Sequence, residues 1–287
     1  MKKLLFKFVC FYLIGTPFIE NKRVQAFIPH YYFPSSKNLK KEAESIGKNA
    51  YQLLYFGQIK DSLNVAKLAV KVNKSDEKLW TILAETQIAN NLYDDALFSL
   101  TKAESINPNI GEIHFAKSSI YLKQSNINES KKSLRLGLKL QPKNYRALFQ
   151  LGNIFLMKKD YESAIDEFTN AVLIKKDFWQ AINNQGLAYF ELNQINQSII
   201  FFKKAILIEE NAEPLLALAT CLKDQNISKA ISLVEKALKI NPSYADLNYR
   251  KEQLWGEKLQ KSTEELFKNE NLKDVITWAK TKFGETN

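Results

Sequence analysis

What this chain has little of narrows its class before any motif is considered. Glycine and proline number only 9 and 7 among 287 residues. An all-β fold with many tight turns needs more of both, because such turns demand left-handed or fixed backbone dihedrals. Cysteine occurs only as Cys10, in the N-terminal apolar stretch, and Cys221. Once the N-terminus is removed no intramolecular disulfide can form, so oxidation state plays no structural part. Histidine is limited to His30 and His114, far apart and without cysteine or acidic partners at metal-ligand spacing. The sequence holds no paired-cysteine motif, no glycine-rich phosphate loop and no Gly-x-Ser-x-Gly turn. Neither a metal, a cofactor nor a catalytic residue is therefore expected, and the chain does not read as an enzyme. The densest carboxylates are Asp160, Glu162, Asp166 and Glu167, beside Lys158 and Lys159. They read as a solvated helix face, since an acid–base pair needs two carboxyls buried and facing each other.

Arginine is scarce too. The formal net charge is +10, yet of 41 basic side chains only Arg23, Arg135, Arg146 and Arg250 are arginines. Bidentate readout of phosphate or guanine favours arginine, so the lysines read as a solvated coat. Part of the excess sits in residues 1–26, where Lys2, Lys3, Lys7, Lys22 and Arg23 face the single acid Glu20. That segment has a positive start, an apolar run (LLFKFVCFYLIGTPFI) and small residues at Val24 and Ala26 before a cleavage point, the layout of a secretory signal. Its uninterrupted apolar part, Phe8 to Ile19, covers about 18 Å as a helix against the ~30 Å of a bilayer core. A cleaved signal is expected ahead of a short membrane anchor, for which Lys22-Arg23 would be the cytoplasmic flank. Either outcome places the chain in a periplasm or thylakoid lumen, or at a membrane, and not in the cytoplasm. Residues 27–42 follow as an aromatic linker opening FIPHYYFPSS, in which Pro29 and Pro34 favour an extended path.

What the chain does contain is a repeat. Gly152 and Gly186, Phe168 and Phe202, and Ala171 and Ala205 each lie 34 residues apart. That register gives units 43–76, 77–110, 111–144, 145–178, 179–210 and 211–244, the fifth being two residues short in the turn before Pro214. At position 8 stand Ala50, Ala84, Ser118, Gly152, Gly186 and Leu218; at position 20, Ser62, Ala96, Ser130, Ala164, Ser198 and Ala230; at position 27, Ala69, Ala103, Gly137, Ala171, Ala205 and Ala237. All but Leu218 are Ala, Ser or Gly. Two short antiparallel helices approach closely only where side chains are small, so positions 8 and 20 should face each other within a pair and position 27 the next pair. Large residues fill the surroundings, among them Trp80, Leu148, Phe155, Phe168 and Phe202, and Pro108, Pro142 and Pro242 stop the second helix at position 32.

The pattern resembles the tetratricopeptide repeat, a 34-residue helix-turn-helix, best in units two (KLWTILAETQIANNLYDDALFSLTKAESINP) and four (ALFQLGNIFLMKKDYESAIDEFTNAV). Unit three departs from it with Lys117 in place of a large apolar residue, and unit six with Pro214 early in a helix. The resemblance implies an all-α, right-handed superhelical solenoid of antiparallel helix pairs, six repeats plus C-terminal capping helices over residues 245–287. Such an array needs a terminal unit with one polar face. Trp255 falls at the position-11 register of that tail and reads as core. The lysine, asparagine and isoleucine bias is similar to short cyanobacterial repeat proteins with plastid relatives.

The resemblance also implies that the first helix of each pair lines a concave groove through positions 2, 5, 9, 12 and 13. The expected partner-binding residues are Tyr51, Tyr55, Phe115, Arg146, Phe149, Asn153, Met157, Asn183, Leu187 and Phe190. Repeats that grip a chaperone's C-terminal carboxylate need further polar residues. Asn153 and Asn184 match that pattern, but Phe149, Ala212 and Leu216 replace its three basic positions, so that ligand is not expected. The stripe suits a helical or extended apolar segment of another protein, such as a member of a membrane complex being assembled. The implied role is a non-catalytic scaffold or assembly factor without a small-molecule substrate. The alternative is a basic helical-repeat RNA binder, against which the apolar stripe and low arginine count weigh.

Overall fold

The computed structural model describes residues 35–286, and every regular element among them is helical. The signal-like segment and the first part of the aromatic linker lie outside the described residues. Six antiparallel pairs follow one another: α1 (Ser36–Tyr55) with α2 (Ile59–Val72), α3 (Glu77–Ala89) with α4 (Tyr93–Ile106), α5 (Gly111–Lys123) with α6 (Ile127–Leu140), α7 (Tyr145–Met157) with α8 (Tyr161–Ile174), α9 (Trp179–Glu191) with α10 (Ile195–Ile208), and α11 (Ala212–Leu222) with α12 (Ile227–Ile240). Each pair packs on the next, and first helices touch first helices along one side, α1 on α3 and α7 on α9 on α11.

The small positions act as the packing argument requires, and all eighteen are buried. Within a pair, position 20 reaches position 8 by hydrogen bonds as well as by contact. Ser62 donates to the Ala50 carbonyl at 2.8 Å, Ser198 to the Gly186 carbonyl at 2.7 Å, and the Ser118 and Ser130 hydroxyls meet at 2.7 Å. Serine thus packs as tightly as alanine while its buried hydroxyl stays satisfied. Glycine at position 8 has a different cause. A Cβ on Gly152 would lie 2.5 Å from the Phe168 ring, and one on Gly186 2.6 Å from the Phe202 ring. Both rings are fully buried, so they could not move aside cheaply.

The turn within each pair repeats a backbone feature that composition does not show. Position 15 is left-handed in five successive units, at Gly57 (φ 75), Asn91 (58), Ser125 (59), Lys159 (58) and Asn193 (61). Only the first is glycine, so four turns carry the steric cost of a Cβ in that conformation.

Three segments differ from the sequence-based expectation. Residues 36–42, expected as extended linker, are the first two turns of α1. Ser35 caps them by accepting from the Asn38 N–H at 3.3 Å, just after Pro34. Lys117, which departs from the repeat in unit three, takes up the large residue's place. It is mostly buried beside Glu104 of α4, with His114 Nε2 3.8 Å from the same carboxylate. A charged pair fills the space that a large apolar residue occupies elsewhere. The tail is more than a cap. A 3-10 turn (Pro242–Ala245) leads to α13 (Leu247–Glu252), α14 (Glu257–Phe267), a second 3-10 turn and α15 (Lys273–Thr286). Helix α15 covers α12, burying Leu272, Ile276 and Ala279. Helix α14 instead turns back onto α9 and α11.

Candidate functional site

The groove-side residues fall into two classes along the array. In the first four pairs the surface is open. Tyr51 and Tyr55 are 53% and 79% exposed on α1, Met157 is 46% exposed at the end of α7, and Arg146 is exposed with its guanidinium 5.1 Å from the Tyr145 ring. Phe115 is half-buried against the Gly137 backbone, where a Cβ would overlap its ring. Phe149 is also half-buried, its ring 5.6 Å from Phe168 and 4.9 Å from Phe178. Phe149 therefore joins α7 to α8 and to the turn before α9, and offers only part of its face to the groove.

In the last two pairs the same positions lie beneath the chain's own tail. Asn183, Leu187 and Phe190, expected as open groove residues, are 0%, 1% and 6% exposed. Leu187 and Phe190 belong to one apolar cluster with Trp255, Leu259 and Leu266. The physical reason is the break after α13. Leu254 adopts φ 64, Gly256 is extended, and α14 starts in a new direction that lays Trp255, Leu259, Thr263 and Leu266 inward. These four are spaced as one face of a helix and its lead-in.

Polar contacts fix the seat. Gly256, the N-cap of α14, has no side chain to serve the first N–H groups. Glu191, at the end of α9, serves them instead, accepting from the Leu259 N–H at 2.9 Å and the Lys258 N–H at 3.3 Å. Lys258 Nζ donates to the Glu191 carbonyl at 2.6 Å, and the exposed Lys159 pairs with Glu257 at 2.6 Å. Thr220 of α11 meets Thr263 of α14 at 2.8 Å, and the Trp255 indole N–H donates to Glu213 at 3.0 Å. Burial pushes the Glu213 carboxyl up to about 7, against hydrogen bonds from Trp255, Asn183 and Tyr244 that favour its charged form. An amide ladder leads away from it: Asn183 donates to Asn184 at 3.2 Å, and Asn184 to Asn153 at 2.9 Å. Asn153 and Asn184 thus bind each other.

Of the nucleophile and carboxylates that the sequence singles out, Cys221 and Asp160 have structural places, and Glu167 is half-buried with its carboxyl raised by that burial. Cys221 is buried, its thiol pushed up to about 12 by that burial, with Ser198 3.7 Å away. Such a thiol is a poor nucleophile. Asp160 caps α8 by accepting from the Ser163 N–H at 3.3 Å, while Glu162 and Asp166 are exposed. Among the described residues no three metal-ligating side chains cluster, and no helix is long and apolar enough to cross a membrane.

Comparison with known proteins identifies the repeat. Models described as tetratricopeptide repeat match residues 115–181 and 180–211. The chain carries tetratricopeptide repeats. The human "Tetratricopeptide repeat protein 13" is 26% identical over 111 residues, which is 39% of this tetratricopeptide-repeat chain and 13% of that protein. This chain thus spans a small part of that relative's length. Among solved structures, PilF of Pseudomonas aeruginosa aligns with TM-score 0.63 and 14% identity over 77% of this chain and 99% of its own. YrrB, titled a TPR protein with an unusual peptide-binding site, aligns with TM-score 0.52 and 16% identity over 63% and 96%. At such identities the likeness is one of fold. It places the tetratricopeptide array on firm ground and leaves the fold-back of α13–α14 to be read from this chain alone. Glu191, Glu213 and Trp255 were the contacts that spacing did not single out as a set, since they lie up to 68 residues apart in pairing.

Proposed function

We propose that this tetratricopeptide-repeat protein is a non-catalytic scaffold that holds a helical or extended apolar segment of a partner protein against the first helices of its first four pairs. The observation that carries the reading is the contrast along one face. Tyr51, Tyr55, Arg146 and Met157 are exposed there, whereas the equivalent surface of α9 and α11 is already filled by the chain itself. Aromatic and methionine side chains with an arginine at the edge are the residue types that anchor protein partners at low entropic cost. The peptide-binding site in YrrB's printed title fits the same use of the fold. The signal-like residues 1–26 support an exported or membrane-associated scaffold, checked by N-terminal sequencing of the mature protein.

A photo-crosslinker at Tyr55 or Met157 should trap a partner from native membranes, and one at Leu207, 86% exposed on α10, should not. The combined change Tyr51→Ala, Tyr55→Ala and Arg146→Glu should abolish that trapping from Met157 while leaving helicity unchanged. Equal trapping from Leu207, or trapping that survives the triple change, refutes the reading.

A further inference from the structure

The seam between the array and its tail concentrates features that a permanent cap has no reason to keep. Three buried side-chain polar atoms among the described residues lack a hydrogen-bond partner: Asn183 Oδ1, Arg250 Nε and Gln260 Oε1. Asn183 lies on α9 and Gln260 on α14, which packs on it, whereas Arg250 lies within the tail, against Tyr244 and Glu264. Leu254, at φ 64, is the one left-handed non-glycine residue among the described residues that stands outside the position-15 turns. A left-handed aliphatic residue is strained and is held only by its surroundings. A cleft of about 240 Å³ stays open between Leu156, Met157 and Tyr161 on one side and Lys251, Leu254 and Gln260 on the other. Elsewhere the pairs pack with satisfied hydroxyls and fully buried rings. Unpaired buried polar groups and strain both favour opening, because water satisfies the first and a free backbone relaxes the second.

The segment itself is built as a separable piece. Arg250, fully buried, donates to the Tyr244 carbonyl at 2.6 Å, pairs with Glu264 and lies over the Phe267 ring, so α13 and α14 are tied to each other independently of α9. What docks on α9 and α11 is one helix face and its lead-in: Trp255, Gly256, Leu259, Thr263 and Leu266.

From these observations we infer that residues 246–268 are a displaceable internal ligand of the groove over α9 and α11, and that this groove accepts in their place a partner helix of the pattern Trp-Gly-x-x-Leu-x-x-x-Thr-x-x-Leu, presented N-terminus first. The pattern is the chemistry of the seat. Glu191 needs two free N–H groups at a helix start without a side-chain cap. Glu213 needs an indole N–H just before that start. The small Gly256 is required because a Cβ there would overlap the Glu191 side chain, and the apolar cluster needs the two leucines. The inference rests on the scaffold reading, extending the groove from four pairs to six when the segment leaves.

The test uses the full chain and, as probe, a fluorescein-labelled synthetic peptide of residues 244–268. Gly256→Val drives a side chain into Glu191 without a backbone penalty, since Gly256 has φ −73 and ψ 169. Lys159→Glu breaks only the exposed pair with Glu257 and carries little risk to folding. Hydrogen exchange should quicken at least tenfold in 257–267 of Gly256→Val, and more modestly in Lys159→Glu, with α4 and α10 unchanged. Fluorescence anisotropy should show the peptide binding Gly256→Val at least tenfold more tightly than the unaltered chain. The inference is overturned if 257–267 opens and the peptide gains nothing, if neither variant alters exchange there, or if exchange rises throughout the array in both. Because the probe is the chain's own segment, this outcome is separate from trapping of a native partner at Tyr55 or Met157.

Discussion

Removing the Glu191 carboxylate tests the most specific contact in the fold-back. Helix α14 begins at Glu257 after Gly256, so it has no cap of its own, and Glu191 supplies one across 68 residues of chain. Its two oxygens accept from the Leu259 N–H at 2.9 Å and the Lys258 N–H at 3.3 Å. Losing an N-cap acceptor costs about 1 kcal/mol, with a range of about 0.5–2. A negative charge at a partly buried helix N-terminus adds up to about 2 kcal/mol. Against both stands the cost of burying that carboxylate, which is 5% exposed and which the alanine variant no longer has to desolvate. A net loss of about 1–2 kcal/mol for Glu191→Ala follows, centred on the α14 seat, with Tyr161 at the start of α8 the one other side chain that loses a hydrogen bond to Glu191. In native-state hydrogen exchange that is roughly a 5- to 30-fold faster opening of Leu259–Phe267. Glu191→Gln keeps one acceptor oxygen and should fall between the two. The Lys258 ammonium contact with the Glu191 carbonyl survives in both variants, so α14 should loosen and not detach. Unchanged exchange in α14, or an equal rise in α10, refutes the assignment of Glu191 as its cap.

Two further perturbations probe the polar seat and the turns. Glu213 is raised from its ordinary 4.5 to about 7, so the folded state binds its proton more tightly than the unfolded state does. The stability this confers is complete below about pH 4.5 and is lost as pH rises through about 7, by about 3 kcal/mol at most. In urea unfolding the difference between the unaltered chain and Glu213→Gln should shift in the variant's favour from pH 5 to pH 8; a difference independent of pH overturns the account. Ser125, exposed at φ 59, carries a left-handed Cβ cost of about 1–2 kcal/mol that Ser125→Gly removes, against about 0.5–1 kcal/mol of added chain entropy. A rise in Tm of about 2 °C is expected by calorimetry, and a fall would show that the turn is not strained.

The repeats were legible because their cause is local and periodic. Small residues at positions 8, 20 and 27 are needed wherever two helices cross, so the requirement recurs every 34 residues and stands out against any background. Ser35 and the helix-forming run after it could have moved the start of α1 back to Ser36, but the aromatic, proline-punctuated stretch before them dominated that window. The left-handed position 15 stayed hidden because only Gly57 announces it. Asn91 and Asn193 adopt the same dihedral more readily than most residues, whereas Ser125 and Lys159 hold it under constraint from the two flanking helices. Lys117 read as a weak match for the repeat, and the partner that explains it, Glu104, lies on the preceding helix where single-position reasoning does not reach.

The fold-back shows where such reasoning stops. Continuing the register places Trp255 at position 11 of a seventh unit, and the structure does bury it, at 4% exposure. The burial has another origin. A seventh pair would have carried its first helix past residue 255, whereas α13 ends at Glu252 and the chain reverses through Leu254 and Gly256. The position 5, 9 and 12 side chains of unit five (Asn183, Leu187 and Phe190) are expected to bind a partner from their place on the first helix, and the structure buries them within the chain instead. The sequence cannot tell an intramolecular occupant from a foreign one, because the same apolar, amide-edged surface serves either. What distinguishes them is the quality of the fit. An occupant selected only for stability would be expected to satisfy Asn183 Oδ1 and Gln260 Oε1. The residual misfit is therefore the physical argument that this occupant is meant to leave.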